Sequence, residues 1–129
     1  MKYLSLQDVV VFNALVIEAT GGKKGLRDAY LLKSLIERPK TKLFGEEKFE
    51  TVFDKAATYL ESLARYHVFV DGNKRTALIA SSRFLFLNGY RLTANNREAG
   101  RFVLRVATGE ESLETIAIWF KKYSEKIGQ

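Results

Sequence analysis

The sequence has 129 residues, with 21 Lys and Arg against 15 Asp and Glu, so its net charge is +6. That length suits one domain around one core, and 47% apolar with 28% charged residues is globular composition rather than that of a disordered tail. Cysteine is absent and histidine occurs once, which excludes disulfide frameworks, thiolate metal sites, Fe–S clusters, Cys nucleophiles and multi-histidine metal centres. The longest apolar run is five residues, Ile116 to Phe120, too short to span a membrane. Met1 to Ser5 shows neither the apolar stretch nor the cleavage pattern of a signal peptide, so a cytoplasmic location is expected. The positive balance favours an anionic partner. It does not choose between nucleic acid, nucleotide phosphates and an acidic protein.

The pattern predicts six helices in a single all-α domain over residues 1–129. The first opens at Ser5, with Asp8 at capping-box spacing, and stops at Gly21-Gly22. Its Val9-Val10-Val11-Phe12 run suits a strand, but the capped length favours a helix. A second helix runs from Asp28 to the residue before Pro39, with Leu31, Leu32, Leu35 and Ile36 on one face. Residues Pro39 to Glu50 are polar, contain Gly45 and read as a loop or flap. The third helix starts near Thr51, again with an acid, Asp54, at capping-box spacing, and buries Val52, Phe53, Ala56, Ala57, Leu60, Leu63 and Ala64. The fourth starts near Asn73 and ends before Gly89. The fifth starts near Asn96 and carries Phe102, Val103 and Val106. The last opens at Ser112, with Ile116, Ala117, Trp119 and Phe120 as core. No strand-length segment alternates cleanly, and no repeat or linker divides the chain.

The chemistry lies between the third and fourth helices, where residues 67 to 75 read His-Val-Phe-Val-Asp-Gly-Asn-Lys-Arg. The first turn of a helix presents unpaired N–H groups and a positive dipole end, a ready anion site. Gly72 would let the backbone approach a ligand. Asn73 adds an amide, and Lys74 and Arg75 add two charges, enough to hold a polyphosphate. Asp71 is a hard oxygen ligand such as Mg2+ on phosphates requires. An imidazole titrates near neutral pH, so His67 is the natural general base for a hydroxyl. Phe69 would anchor the loop in the core. Taken singly, each residue has a plain structural reading: His67 as a helix-end dipole partner, Asp71-Gly72 as a turn, Asn73 as an N-cap, Lys74-Arg75 as a solvated pair. Their joint spacing is that of a phosphoryl-transfer site.

This stretch resembles the signature loop of the Fic/Doc family, and within it the death-on-curing (Doc) toxin branch. The likeness extends to Ala57–Tyr66, Thr76–Leu78, Phe84-Leu85 and Asn88–Tyr90, and to Gly25–Asp28 and Ala107–Glu110. It implies a compact six-helix bundle with a short flap before the third helix. It also implies a division of labour. His67 would deprotonate a hydroxyl on a target protein, and Asp71 would hold Mg2+ on ATP. Gly72, Asn73, Lys74 and Arg75 would bind the phosphates, Phe69 would be structural, and the flap around Lys42 to Phe49 would align the target.

Adenylyl-transferring members usually carry Gly in place of Lys74 and an additional Arg where this chain has Leu78. The Doc-like residues at these two positions go with reversed nucleotide placement and γ-phosphoryl transfer. The resemblance therefore implies a toxin of a toxin–antitoxin pair that phosphorylates a threonine of elongation factor Tu and stops translation. Gly72 matches the adenylylating loop, so AMP transfer is the alternative enzyme reading. A catalytically idle module that grips an antitoxin or nucleic acid is the non-enzyme one. The implied partner is a small antitoxin with a disordered tail; direct nucleic-acid binding and membrane association are not expected. Arg97, Arg101 and Arg105 form one basic stripe, either a solvated face partly neutralised by Glu98 or a docking strip for an acidic tail. Arg65 reads as a charge partner for its helix C-terminus, or as a contact to target or antitoxin.

Overall fold

A computed structural model describes residues 1–128. All six helices stand where the pattern predicts them: α1 (Leu6–Thr20), α2 (Ala29–Glu37), α3 (Val52–Arg65), α4 (Asn73–Leu87), α5 (Asn96–Ala107) and α6 (Leu113–Lys122). The capping boxes at Ser5/Asp8 and Thr51/Asp54 are both formed. The valine run is helical, because its caps and the burial of Val9, Val16 and Ile17 outweigh β propensity.

Helix α3 is the axis of the molecule. Every residue from Lys55 to Ala64 is buried, as befits a helix covered on all sides. It packs on α2, α4, α5 and α6. Ala56, Ala57, Ala77 and Ala80 are fully buried, and their small side chains let α3 and α4 lie close together. Aromatic residues fill the wider gaps: Tyr59 meets Phe84 at 5.0 Å between ring centres, and Phe102 stacks on Trp119 at 4.2 Å. Trp119 and Phe120 are core, as expected.

Two small antiparallel pairs escape the periodicity. One is β1 (Lys42–Leu43) with β2 (Glu46–Glu47), inside the flap; the other is β3 (Tyr90–Leu92) with β4 (Ser124–Lys126). Strands of two or three residues are too short to show alternation. Arg65 is a tie within the fold. Its guanidinium pairs with Glu61 at 3.0 Å and donates to the carbonyls of Val106 at 2.8 Å and Glu111 at 2.5 Å. Glu61 also accepts from Arg38 at 2.8 Å, so the end of α3 is locked both to the α5–α6 turn and to the end of α2.

The Tyr59 hydroxyl accepts a hydrogen bond from the Leu4 N–H at 3.2 Å, fastening the N-terminal segment to α3. Burial pushes this phenol up to about 12, against the smaller opposing effect of the Leu4 bond. In the unfolded chain it ionises near its ordinary 10.0. Its contribution to stability is therefore complete below pH 10 and falls as pH rises from about 10 towards 12. Tyr59→Phe should cost about 1 kcal/mol at neutral pH through the lost bond. It should also lose less stability than the wild type between pH 10 and 12, as denaturant midpoints across that range will report.

Candidate active site

The loop from Tyr66 to Gly72 turns the chain from α3 into α4, and backbone bonds strap it to residues 25–28. Arg27 and Asp28 donate their N–H groups to the Val68 carbonyl at 2.6 and 3.1 Å. Val70 donates to the Gly25 carbonyl at 2.9 Å, and Leu26 forms an isolated bridge with Phe69. Gly25 is required here: its φ is +153°, and a Cβ would lie 2.8 Å from Val70 Cγ2. Val68 and Phe69 are buried and anchor the loop to the core.

Asn73 completes the anchorage. Its side-chain amide donates to the Phe69 carbonyl, and its side-chain oxygen accepts from the Phe69 N–H, each at 3.0 Å. The residue is buried. The amide oxygen and one amide hydrogen thus serve Phe69, while the Asn73 backbone N–H stands at the helix start beside the cleft. Gly72 lines the cleft and also packs close to α1. It has φ +76°, and a Cβ would lie 3.1 Å from Val16 Cγ1 and 3.2 Å from Ile17 Cδ1. The close approach it permits is that of α1.

Asn13 was not among the sequence candidates. Buried in α1, it donates its amide hydrogens to the Asp71 carbonyl at 2.8 Å and to Thr76 Oγ1 at 3.1 Å, tying α1 to both the loop and α4. The available signal was a lone amide on the face that carries Val9, Val16 and Ile17.

These contacts shape an open cleft of about 390 Å³ between the C-terminus of α1 and the N-terminus of α4. Asp71, Gly72, Asn73, Lys74 and Arg75 all line it, opposite Thr20, Gly21 and Gly22. Five of the helices carry a side-chain N-cap, whereas α4, capped by Gly72, has none. Its first-turn N–H groups and positive dipole end thus face the cleft without a side-chain acceptor. The C-terminus of α1 supplies the opposite polarity from the facing wall. Asp71 Oδ2 accepts from the Lys23 N–H at 2.9 Å, while Oδ1 has no hydrogen-bond partner among the described residues. No cluster of three or more His, Cys, Asp or Glu side chains exists among those residues. A cation here would have one protein carboxylate and would draw its other ligands from phosphate and water, which suits Mg2+. Lys74 and Arg75 are exposed. With Leu78, they also border a second cavity of about 310 Å³ against α5. His67 is exposed at the far end of the loop and does not line the cleft.

An all-α fold that sets a histidine and a carboxylate on one strapped loop, and paired cations on the uncapped helix start that follows it, is matched among known proteins. The Fic/DOC family model matches residues 3–85. The sequence is 39% identical to Toxin Doc of Mycolicibacterium smegmatis over 118 residues, covering 90% of this chain and 88% of that protein. It is 32% identical to the protein kinase doc of Escherichia phage P1 over 117 residues, covering 91% of each. The chain belongs to the Fic/Doc family, in its death-on-curing branch.

Asn73→Ala removes both bonds to Phe69 and strands two buried backbone groups, so it should destabilise the fold by roughly 2 kcal/mol or more. Chemical denaturation will measure this, and hydrogen exchange should rise at Phe69 and its neighbours.

Proposed function

We propose that this chain is the toxin of a toxin–antitoxin pair, transferring the γ-phosphoryl group of ATP to a hydroxyl of a target protein, with a threonine of elongation factor Tu as the acceptor. The carrying observation is the cleft itself: an uncapped helix start, two cations and a carboxylate converge on a volume suited to phosphates. The names of the two relatives, a toxin and a protein kinase, support the same reading.

In this mechanism the α4 N–H groups, Lys74 and Arg75 bind and orient the phosphates. Asp71 Oδ1 would hold Mg2+, which when bound neutralises phosphate charge. His67 takes the proton from the acceptor hydroxyl. The hydroxyl oxygen then bonds to the γ-phosphorus as the bond to the β–γ bridging oxygen breaks, and ADP leaves. Leu78 borders the cavities between α4 and α5 and offers no charge to clamp a nucleotide in the adenylylating orientation. Gly72 is the one residue that favours AMP transfer, the second reading.

The antitoxin partner follows from the toxin reading. On α5, Arg97, Arg101 and Arg105 are all exposed. Arg105 is paired with Glu111 at 3.1 Å, so Glu111 rather than Glu98 neutralises part of the stripe, leaving Arg97 and Arg101 as the open charges for an acidic tail. A cytoplasmic setting fits this role, and no helix among the described residues is long and apolar enough to cross a membrane.

Two experiments test the reading. His67→Ala should keep the fold and cut transfer by about 10²–10⁴-fold, the usual cost of a lost general base, and Asp71→Ala should weaken Mg·ATP use. Full growth arrest by a folded His67→Ala variant would remove this residue from the mechanism. In the second, elongation factor Tu is incubated with the chain and ATP labelled at either the α or the γ position. Label from γ alone is expected, and label from α would establish nucleotidyl transfer instead.

A further inference from the structure

Lys74 and Arg75 line two cavities at once. One is the cleft beside Asp71. The other, of about 310 Å³, is a slot between α4 and α5 walled by Leu78, Gly100, Val103 and Leu104. The two differ in chemistry. The cleft has a helix start and a carboxylate, whereas the slot has no hydrogen-bonding side chain besides the same two cations. At its four wall residues the backbone lies inside helices and bonds within them. A slot of this size stands at the lower end for ligand pockets, which begin at roughly 300 Å³. Its aliphatic walls suit a flat ring rather than a charged group.

Gly100 is the residue that the bundle does not explain. It stands in the middle of α5, where Gly weakens a helix relative to Ala. Neither ordinary reason for a Gly applies. Its backbone is not left-handed, for the glycines of positive φ lie elsewhere. A Cβ on Gly100 would meet no heavy atom within 4 Å, whereas at Gly25 and Gly72 it would meet neighbours at 2.8 and 3.1 Å. No element of the fold therefore needs the close approach that Gly100 allows. The space left by its missing side chain opens into the slot, where a ligand lying against the α5 backbone would use it.

We infer that the slot between α4 and α5 receives the nucleobase of the phosphate donor, with Gly100 making room for the ring and Leu78, Val103 and Leu104 as its apolar walls. This rests on the function proposed above and deepens it. Lys74 and Leu78 are four residues apart on α4, about 6 Å along its axis, a span that a ribose bridges between phosphates and base. Arg75 stands at the junction, and its guanidinium plane is suited to stacking on a base. Continuity with the cleft favours the nucleotide over the antitoxin as occupant, since none of Arg97, Arg101 and Arg105 lines the slot. Specificity follows from the walls. One base is told from another by hydrogen bonds to its edge, and aliphatic walls hold any purine by apolar contact alone. ATP and GTP should therefore serve as donors nearly equally.

Calorimetric titration of the full chain tests this with Mg·ATP, Mg·GTP and Mg·ribose 5-triphosphate, which lacks only the base. The wild type should bind ATP and GTP alike and ribose 5-triphosphate about tenfold or more weakly, the scale of one buried ring. Gly100→Leu, which favours the helix, should hold or raise the melting temperature. It should weaken ATP and GTP to the level of ribose 5-triphosphate and leave the latter unchanged. Leu104→Ser, at a half-exposed position, should act in the same direction to a smaller extent, and it carries the test should Gly100→Leu fail to fold. Equal affinity of the wild type for ATP and ribose 5-triphosphate overturns the inference and leaves the proposed function standing. Unchanged ATP affinity in a folded Gly100→Leu does the same. A marked preference for ATP over GTP overturns a base site held by apolar contact alone. A wild type that binds none of the three defeats the function and the inference together.

Discussion

The paired hydrogen bonds between the Asn73 amide and the Phe69 backbone are the constraint on which the site depends. They close the loop onto the first residue of α4 and bury Phe69 beneath it. Asn is among the best residues for capping a helix, yet here it stands inside the first turn and reaches back to the loop. The cap position falls to Gly72, which has no side chain to offer. The same arrangement that stiffens the loop therefore leaves the helix start free to bind an anion. Asn13 supplies the complementary tie from α1, so two segments distant in sequence, α1 and residues 25–28, join Asn73 in holding one short loop.

The electrostatics of the cleft come from backbone as much as from side chains. The C-terminus of α1 and the N-terminus of α4 face each other across it, opposite in polarity. A cation paired with phosphate meets both. Asp71 stands on this boundary, with one oxygen bonded to the Lys23 N–H, and Lys74 and Arg75 reinforce the positive wall. A lone carboxylate makes a poor metal site in the absence of phosphate, so in the proposed mechanism Mg2+ would bind together with the nucleotide.

Rigidity is distributed unevenly around this chemistry. The end of α3 is locked through Arg65, Glu61 and Arg38, while the flap is held by the buried Lys55 ammonium, the Lys48–Thr41 backbone bond and the buried Phe49. The flap tip lies outside the core, with Leu43 and Phe44 exposed. There Phe44 strains its own turn, at a φ of +52°, without cost to the helical core.

Helix positions, the all-α class and the nine-residue motif were legible in the sequence, because capping residues, apolar periodicity and the spacing from His67 to Arg75 are local properties. Chain order alone put Asp71, Gly72, Asn73, Lys74 and Arg75 next to one another. The tie from Asn73 to Phe69 and the approach of α1 at Gly72 were not legible, since both exist only once the chain has folded back on itself. Asn13, Gly25 and Lys55 were hidden for the same reason: each acts on a partner brought near by packing, and a buried amide or ammonium reads in sequence as an ordinary polar residue. The short strands, too, are products of tertiary contact, for two or three residues carry no periodicity of their own. The sequence by itself determined which chemical groups the loop contains and where each helix begins. The tertiary structure decided which of those groups remain free to meet a ligand, because hydrogen bonding within the fold consumes some of them and leaves others open.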